Sequence, residues 1–361
     1  MYRVSVCGAG RAATELTLPA FDLLKSHNSK RMSIVSVADI DGDKASMLAK
    51  RFGVQNVFTD VSEMLRKDKP NIMVINTPVK SHYSLAMEAI DEGVNFIIEK
   101  PATETVKELR EIREAARKAG VKGMVVHNYR FLPGWRRALE WYKKGKLGSI
   151  LHVDRIWMSP AQLDRMEKDK GGWWHQIPGG RLADSLPHHL YVAYPFVGEM
   201  TVEHVSVRKL SDREWSKCDE ANIMLKAERA YVNVRLSTNQ EELPPPGKRK
   251  TNPYDALVYG TKRAVAVFHN TAHFFHPLKN KDKVRFGIEG LKDGIKGKVW
   301  RFLGRNRTIP AVRGGHAILF GEFLRYVQGE IENPVPWDEA IHVMELSDEI
   351  GLMMERQLSG K

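Results

Sequence analysis

A glycine-rich segment near the start of the chain has residue types and spacing suited to binding a phosphate group. Gly8 and Gly10 lie between an apolar, strand-like run and a helical pattern, and Arg11, Ala12 and Ala13 follow. The first glycine permits a tight turn, the second lets backbone N–H groups approach a pyrophosphate, and a small third residue keeps the helix close to the strand. The motif alone is weak evidence, but its position between a strand and a helix indicates a dinucleotide site.

An acidic residue at the end of the second predicted strand indicates which dinucleotide would bind. The carboxylate of Asp39 could accept hydrogen bonds from both hydroxyls of the adenosine ribose and would repel a 2′-phosphate, which favours NAD over NADP. Arg31 could instead bind a 2′-phosphate, so NADP stays open. Asp39 could also cap the following helix, although Asp41 or Asp43 is better placed for that.

Three further residues could hold or move a proton. Asp184 and His188 are four apart in a segment with a helical pattern, so both project from one face. Lys100 follows another predicted strand, at the edge where open α/β sheets bind their ligands. The alternatives are a structural Asp–His pair and a surface lysine that caps the next helix.

The first third of the chain contains the elements that must position these residues. Short apolar runs alternate with longer stretches of helical period, which is typical of strands buried on both faces and joined by crossover helices. Residues 1–126 are therefore predicted to form a Rossmann domain with a doubly wound parallel sheet. The predicted strands are 4–7, 34–38, 72–75, 96–98 and 124–126, and the predicted helices are 14–25, 44–52, 81–92 and 106–119.

The pattern changes after this point. Residues 127–361 are predicted to form a C-terminal α/β domain with a large, mostly antiparallel open sheet, one face of which could bind a cofactor or a partner subunit. Its predicted strands are 150–158, 202–209, 221–226, 231–237, 256–259 and 265–268, and its predicted helices are 135–144, 317–327 and 338–357. The final helices could pack back on the Rossmann domain.

Several short motifs in the same order resemble the Gfo/Idh/MocA oxidoreductases, and the resemblance covers nearly the whole chain. The family has a Rossmann domain and a C-terminal α/β domain, and it groups glucose–fructose oxidoreductase, inositol dehydrogenases and many sugar dehydrogenases. The resemblance implies hydride transfer between NAD(P) and a secondary alcohol of a sugar, cyclitol or nucleotide sugar. The motifs are Asn76-Thr77-Pro78, Glu99-Lys100-Pro101, Tyr129-Arg130-Phe131, Gly145-Lys146-Leu147-Gly148, Trp173-Trp174, and Gly179-Gly180 ahead of Asp184 and His188.

The resemblance also implies roles for individual residues. Lys100 would contact the substrate and the nicotinamide ribose, His188 would transfer the proton, and Asp184 would orient His188 or bind a hydroxyl. The further cofactor-binding candidates are Asn76, Thr77, Pro78, His82 and Glu99, and the substrate candidates are Tyr129, Arg130, Trp173, Trp174, His175 and Arg181. The chain has Leu186-Pro187 where relatives often have small residues, and Arg181 or Pro178 in place of a third glycine. The identity of the substrate therefore does not carry over.

The positive charge of the chain is concentrated in one segment. Lysine and arginine number 56 against 44 acidic residues, a formal charge of +12, and residues 278–307 hold ten basic and three acidic residues, a net +7. Apolar residues recur there at helical spacing, which predicts a basic amphipathic insertion. It could contact an anionic membrane, a lipid-linked sugar or the diphosphate of a substrate, or it could simply pack on the sheet or a partner subunit.

Other function classes have little support in the sequence. Two cysteines are too few for a disulfide framework, no metal-binding set or nucleophile motif is evident, and nucleic-acid binding is not expected. We expect a cytoplasmic homodimer or homotetramer. Two alternative functions remain open, namely redox-assisted glycoside cleavage with bound NAD and a non-catalytic, dinucleotide-gated regulator of the same fold.

Overall fold

The computed structural model describes residues 1–28, 32–158, 172–239, 255–275 and 311–360. Within them the chain forms two β-sheets, each with its own apolar core. The predicted basic insertion at 278–307 lies outside the described residues, as do Arg31 and the side chain of Trp173.

The first sheet has six parallel strands, and it confirms the predicted doubly wound Rossmann sheet. The strands are β1 (Tyr2–Cys7), β2 (Met32–Ala38), β3 (Asn56–Phe58), β4 (Ile72–Ile75), β5 (Asn95–Ile98) and β6 (Gly123–Val125). Their order is β3-β2-β1-β4-β5-β6, so the winding direction reverses between β1 and β4. Ligands bind at such a switch point in open α/β sheets, and the loops after β1 and β4 both open there.

Helices follow most of these strands, and their first residues explain where they begin. They are α1 (Leu18–Asn28), α2 (Gly42–Phe52), α3 (Val61–Asp68), α4 (His82–Asp91) and α5 (Val106–Ala119). Asp41 caps α2 through the backbone N–H of Lys44, and Thr105 and Glu108 form a reciprocal capping box at α5. One turn of π-helix, Ala13–Thr17, precedes α1.

The second sheet has seven strands and is mostly antiparallel, as predicted. Its strands are β7 (Ile150–Met158), β8 (Met200–Arg208), β9 (Glu220–Ala227), β10 (Tyr231–Ser237), β11 (Ala256–Gly260), β12 (Ala264–Val267) and β13 (Ala272–Phe275), in the order β13-β12-β11-β7-β10-β9-β8. Among the described strands of this second sheet, only β7 and β10 pair in parallel. Two helices, α6 (Pro133–Lys143) and α7 (Gly180–Val197), accompany this sheet, and α7 packs against β7, β9 and β10.

The last two helices join the two halves. In α8 (Ala311–Val327), Phe320 stacks on Phe21 of α1 with ring centroids 4.6 Å apart, so α8 packs on the first helix of the Rossmann domain. In α9 (Trp337–Leu358), Ile341 lies in the first core and Ile350 in the second. The position of the domain boundary at residue 126 stays a prediction.

Candidate functional site

The glycine-rich loop after β1 is built for a close approach of backbone and ligand. Gly8 has φ +89°, and a Cβ there would lie 2.8 Å from the backbone of Asn76 and Thr77. A Cβ on Gly10, by contrast, would meet nothing within 4 Å. The fold itself therefore requires glycine at position 8, whereas the space beside Gly10 is open, as the pyrophosphate of a dinucleotide needs. The residues present fit NAD at this loop.

Asp39 connects the end of β2 to the glycine-rich loop. Its Oδ2 accepts a hydrogen bond from the backbone N–H of Ala9 at 2.6 Å, and its Oδ1 accepts from the N–H of Asp41 at 2.9 Å. The carboxylate is therefore held at the edge of the loop, where a ribose would lie. Asp41 takes the helix-capping role, so Asp39 does not cap α2.

The loops after β4 and β5 are held together by one buried imidazole. His82 contacts the carbonyl oxygen of Thr77 at 2.8 Å and that of Pro101 at 3.0 Å. Burial lowers the pKa of His82, although both carbonyls favour the charged form. Nearby, Thr17 donates to Asn76 Oδ1 at 3.0 Å. His82 thus connects the two predicted cofactor loops, because its two ring nitrogens contact one backbone carbonyl from each loop.

Lys100 pairs with Asp184 across the two halves of the protein. Its Nζ lies 3.0 Å from Asp184 Oδ1 and 3.2 Å from the backbone carbonyl oxygen of the same residue. Arg181 approaches Asp184 Oδ2 at 3.5 Å. Burial by itself would raise the pKa of Asp184, but the charges of Lys100 and Arg181 outweigh it and lower that pKa.

A second buried pair supports the strand end that carries Lys100. Glu99 contacts the imidazole of His316 in α8 at 3.3 Å and accepts a hydrogen bond from the backbone N–H of Lys100 at 3.1 Å. Burial would raise the pKa of Glu99, but the hydrogen bond and charge of His316, and then the contacts with Lys100, lower it. No sequence pattern indicates a role for His316, because it lies in a different helix more than 200 residues along the chain.

His188 has a different partner from the one predicted. Its Nδ1 lies 2.6 Å from the hydroxyl oxygen of Tyr191, one helical turn further along α7, and its ring stacks on Tyr129 with centroids 4.5 Å apart. Burial, and next the charge of Lys100, hold the pKa of His188 well below its ordinary value. The prediction that Asp184 orients His188 is thus corrected: Asp184 turns to Lys100, since a buried carboxylate is stabilised better by an ammonium than by a neutral imidazole.

The remaining substrate candidates are only partly brought together. Arg130 forms an ion pair with the buried Glu339 of α9, which also contacts His127 at 3.2 Å. The guanidinium of Arg181 lies 5.2 Å from the ring centroid of Trp157. The ring of His175 packs between the rings of Trp174 and Trp215.

A cavity of about 670 Å³ lies against the Lys100–Asp184 pair, between the two halves. It is formed by the loops after β4 and β5, the start of α7 and the inner face of α9. Most of its lining is apolar, and Lys100, Thr103 and Asp184 contribute polar groups.

The described residues contain no cluster of histidine, cysteine, aspartate and glutamate that could hold a metal ion. Cys7 and Cys218 are buried free thiols.

Comparisons with known proteins agree with this architecture. A family model described as the oxidoreductase family with an NAD-binding Rossmann fold matches residues 2–127. The chain is 28% identical over 224 residues to oxidoreductase P35 of Formosa agariphila, covering 61% of this chain and 67% of that protein. It is 24% identical to the oxidoreductase YdgJ of Escherichia coli, covering 95% and 94%. A match to levoglucosan dehydrogenase of Pseudarthrobacter phenanthrenivorans has 28% identity and covers 46% and 43%.

Solved structures show the same fold over the full length. An oxidoreductase from Thermotoga maritima superposes with a TM-score of 0.73 at 19% identity, covering 98% of this chain and 97% of that one. The WlbA dehydrogenase of Bordetella pertussis, crystallised with NADH and UDP-GlcNAcA, gives 0.71 at 17% identity and covers 99% of this chain. The fold and the loop after β1 define a dinucleotide-binding protein of two α/β halves. Residues 2–127 thus match the NAD-binding Rossmann domain of an oxidoreductase family, and the relative that matches nearly the whole chain is itself named an oxidoreductase.

No helix in the described part of the chain has both the length and the apolar character needed to cross a membrane.

Proposed function

We propose that this protein is an NAD(P)-dependent dehydrogenase acting on a secondary alcohol of a sugar, cyclitol or nucleotide sugar. The observation that carries the proposal is that Lys100, which follows β5 of the Rossmann sheet, pairs with Asp184 of α7, the helix that carries His188 one turn further on. The relatives support the substrate class: one is named for levoglucosan, and one structural neighbour was crystallised in complex with NADH and UDP-GlcNAcA.

The site residues divide the work between binding an oxygen and moving a proton. Bound NAD supplies the hydride acceptor for oxidation and the hydride donor for reduction. Lys100 directs two of its three N–H groups to Asp184, which leaves the third to donate to the substrate oxygen. His188, kept neutral by burial and by the charge of Lys100, accepts the hydroxyl proton during oxidation and returns it during reduction. A carbonyl formed this way stays hydrogen-bonded to the Lys100 ammonium.

The loop geometry favours NAD over NADP. The glycine-rich loop, Asp39 and the Asn76-Thr77-Pro78 segment would hold the cofactor, with the Asp39 carboxylate near the adenosine ribose. A 2′-phosphate would place two negative groups together at this edge of the loop. Titration with each coenzyme in parallel tests this, and equal affinity for both would contradict it.

A spectrophotometric screen tests the proposed reaction. Sugars, inositols and nucleotide sugars are incubated with enzyme and NAD, and NADH is followed by its absorbance. We expect turnover with at least one compound, loss of that turnover in Lys100→Met and His188→Gln, and NAD binding within a few-fold of wild type in both variants. Full activity in both variants would refute the assignment. Glycoside cleavage without net NADH would instead identify the redox-assisted alternative.

The outer face of the C-terminal sheet supports a proposed homodimer or homotetramer. Met224 and Tyr231 expose 37% and 41% of their surface on adjacent strands β9 and β10, beside polar groups such as Asn233. A mixed apolar and polar sheet face of this kind is suited to a second copy of the chain. Analytical ultracentrifugation of wild type and Tyr231→Lys tests this; a monomeric wild type would contradict it.

A further inference from the structure

The proton-transfer candidate lies in a hydrogen-bond network that can be accounted for atom by atom. The hydroxyl oxygen of Tyr191 lies 2.6 Å from His188 Nδ1, 3.1 Å from the backbone nitrogen of Tyr129 and 3.1 Å from Asn128 Oδ1. A tyrosine hydroxyl has one hydrogen to donate and can accept hydrogen bonds at its oxygen. The Tyr191 hydroxyl therefore has three hydrogen-bond neighbours but only one hydrogen to donate.

The chemical nature of two of these neighbours fixes the direction of their hydrogen bonds. The backbone N–H of Tyr129 can only donate, so Tyr191 accepts it. Asn128 Oδ1 can only accept, so the one hydroxyl hydrogen of Tyr191 goes to Asn128. Burial raises the pKa of Tyr191 well above its ordinary value, so this hydrogen stays on the hydroxyl.

The third neighbour must then be a donor. With its hydrogen given to Asn128, Tyr191 can only accept at His188, and a neutral imidazole can donate there only if Nδ1 carries the proton. The hydrogen of the imidazole is thereby assigned to Nδ1, and Nε2 keeps its lone pair. An Nδ1 lone pair would instead face the oxygen of Tyr191 at 2.6 Å with no hydrogen between them.

We propose that Tyr191 and Asn128 are positioning residues that hold His188 as the Nδ1–H tautomer, so that Nε2 is the atom that exchanges a proton with the substrate. The proposal rests on the dehydrogenase function proposed above. In this proposal, His188 is oriented by the uncharged side chains of Tyr191 and Asn128, and not by Asp184. Tyr129 stacks on His188 and His127 stacks on Tyr191, which keeps both rings in this arrangement. In the described structure, the carboxylate of Asp184 therefore pairs with Lys100. The amide of Asn128 acts on His188 indirectly, because it accepts the hydroxyl hydrogen of Tyr191.

Two substitutions separate this role from simple support of the fold. Asn128→Ala keeps Tyr191 but removes its acceptor, so the hydroxyl hydrogen turns to His188 Nδ1 and the imidazole hydrogen moves to Nε2. Tyr191→Phe removes the acceptor of the Nδ1 hydrogen altogether. Tyr194→Phe is the matched control, because Tyr194 lies on the same helix and contacts the ring of His342 instead.

The tautomer is measured directly by long-range ¹H–¹⁵N correlation NMR on histidine-labelled protein without substrate, with the His188 signals assigned by their loss in His188→Gln. We expect a protonated Nδ1 in wild type and Tyr194→Phe, and a protonated Nε2 in Asn128→Ala.

With a turned-over substrate, we expect kcat to fall about 10²-fold in Asn128→Ala and Tyr191→Phe while KM changes little. A protonated Nε2 in wild type, or an unchanged tautomer in Asn128→Ala, would overturn the proposal. Failure of the dehydrogenase function would appear separately, as absence of turnover with a normal tautomer.

Discussion

The ammonium of Lys100 contacts Asp184 twice, at the carboxylate Oδ1 at 3.0 Å and at the backbone carbonyl at 3.2 Å. One residue follows a strand of the Rossmann sheet and the other lies in the first turns of α7, so the contact joins the two halves at the candidate site. Both side chains are largely buried, with 19% and 10% of their surface exposed. The pair therefore aligns the proposed proton acceptor on α7 with the cofactor loops as well as directing Lys100 toward a substrate.

This contact predicts a measurable energetic coupling. Lys100→Met leaves the Asp184 carboxylate with only the more distant Arg181, and we expect a loss of about 2 kcal/mol in the free energy of unfolding. Asp184→Asn should also destabilise, but the double variant should lose less than the sum, by about 1–2 kcal/mol. Urea unfolding of the four proteins measures the cycle. Lys107→Met, on an 85% exposed side chain, is the control and should change stability by less than about 0.5 kcal/mol; strict additivity at Lys100 and Asp184 would contradict the pairing.

The two glycines of the first loop should respond differently to an added methyl group. Gly10→Ala meets nothing within 4 Å in this structure, so the free energy of unfolding should stay within about 1 kcal/mol of wild type. The same methyl group enters the space proposed for the pyrophosphate, and NAD affinity should fall at least about tenfold, or about 1.4 kcal/mol. Calorimetric titration with NAD, alongside thermal unfolding without it, measures both quantities.

Gly8→Ala supplies the contrast. Its Cβ would lie 2.8 Å from the backbone of Asn76 and Thr77, at a φ of +89° that other residues rarely adopt, so the unliganded protein itself should lose stability. Wild-type NAD affinity in Gly10→Ala would mean that the cofactor does not approach this part of the loop.

The Rossmann sheet could be predicted from sequence because its central strands β4 and β5 are buried and almost wholly apolar. β3 and α3 were not predicted: β3 is a three-residue edge strand, and α3 has only eight residues. The partner of His188 could not be derived from spacing, because the residues at i−4 and i+3 both lie one helical turn away on the same face. Asp184 and Tyr191 each lie about one helical turn from His188, and only the position of Lys100 on the other half decides between them.

Contacts between distant segments were beyond sequence analysis for a related reason. Glu99 and His316 are 217 residues apart, and neither has a pattern that names the other. By contrast, the glycine-rich loop could be assigned from sequence because its strand, turn and helix are consecutive in the chain. Local geometry was therefore predictable from the sequence. The ion pairs between the two halves could be identified only from the three-dimensional structure.

Buried histidines predict a specific pH dependence of stability. Burial lowers the pKa of each of four histidines in the folded protein relative to an ordinary value of 6.5, namely His82, His127, His188 and His189. Below that value the unfolded chain binds protons that the folded protein does not, so the free energy of unfolding should fall as the pH decreases from about 6.5. A fully shifted histidine contributes about 1.4 kcal/mol per pH unit in this window. Above about pH 7.5 their contribution should be constant.

His189 offers the cleanest substitution for measuring this slope. Its side chain is 1% exposed, and its ring nitrogens form no hydrogen bond with the other described residues. His189→Leu should therefore reduce the slope of stability against pH between pH 5 and 6.5 by about one histidine's share. Urea unfolding at half-unit pH intervals provides the data, and an unchanged slope in His189→Leu would show that its protonation is not linked to unfolding.

The last prediction separates a structural from a substrate-binding role for Arg130. Its guanidinium pairs with Glu339, which is 2% exposed and belongs to α9, so Arg130→Met would leave a buried carboxylate with only His127 nearby. We expect a loss of about 3 kcal/mol in the free energy of unfolding, most of it recovered in Arg130→Met/Glu339→Leu because both charges are then absent. Arg136→Met, at a half-exposed arginine of α6, should have little effect and serves as the control. If the pair only braces α9 against the site, the stable double variant keeps a KM close to wild type. A KM raised tenfold or more in that variant would show that Arg130 binds the substrate, since the fold would then be intact and only the positive charge would be missing.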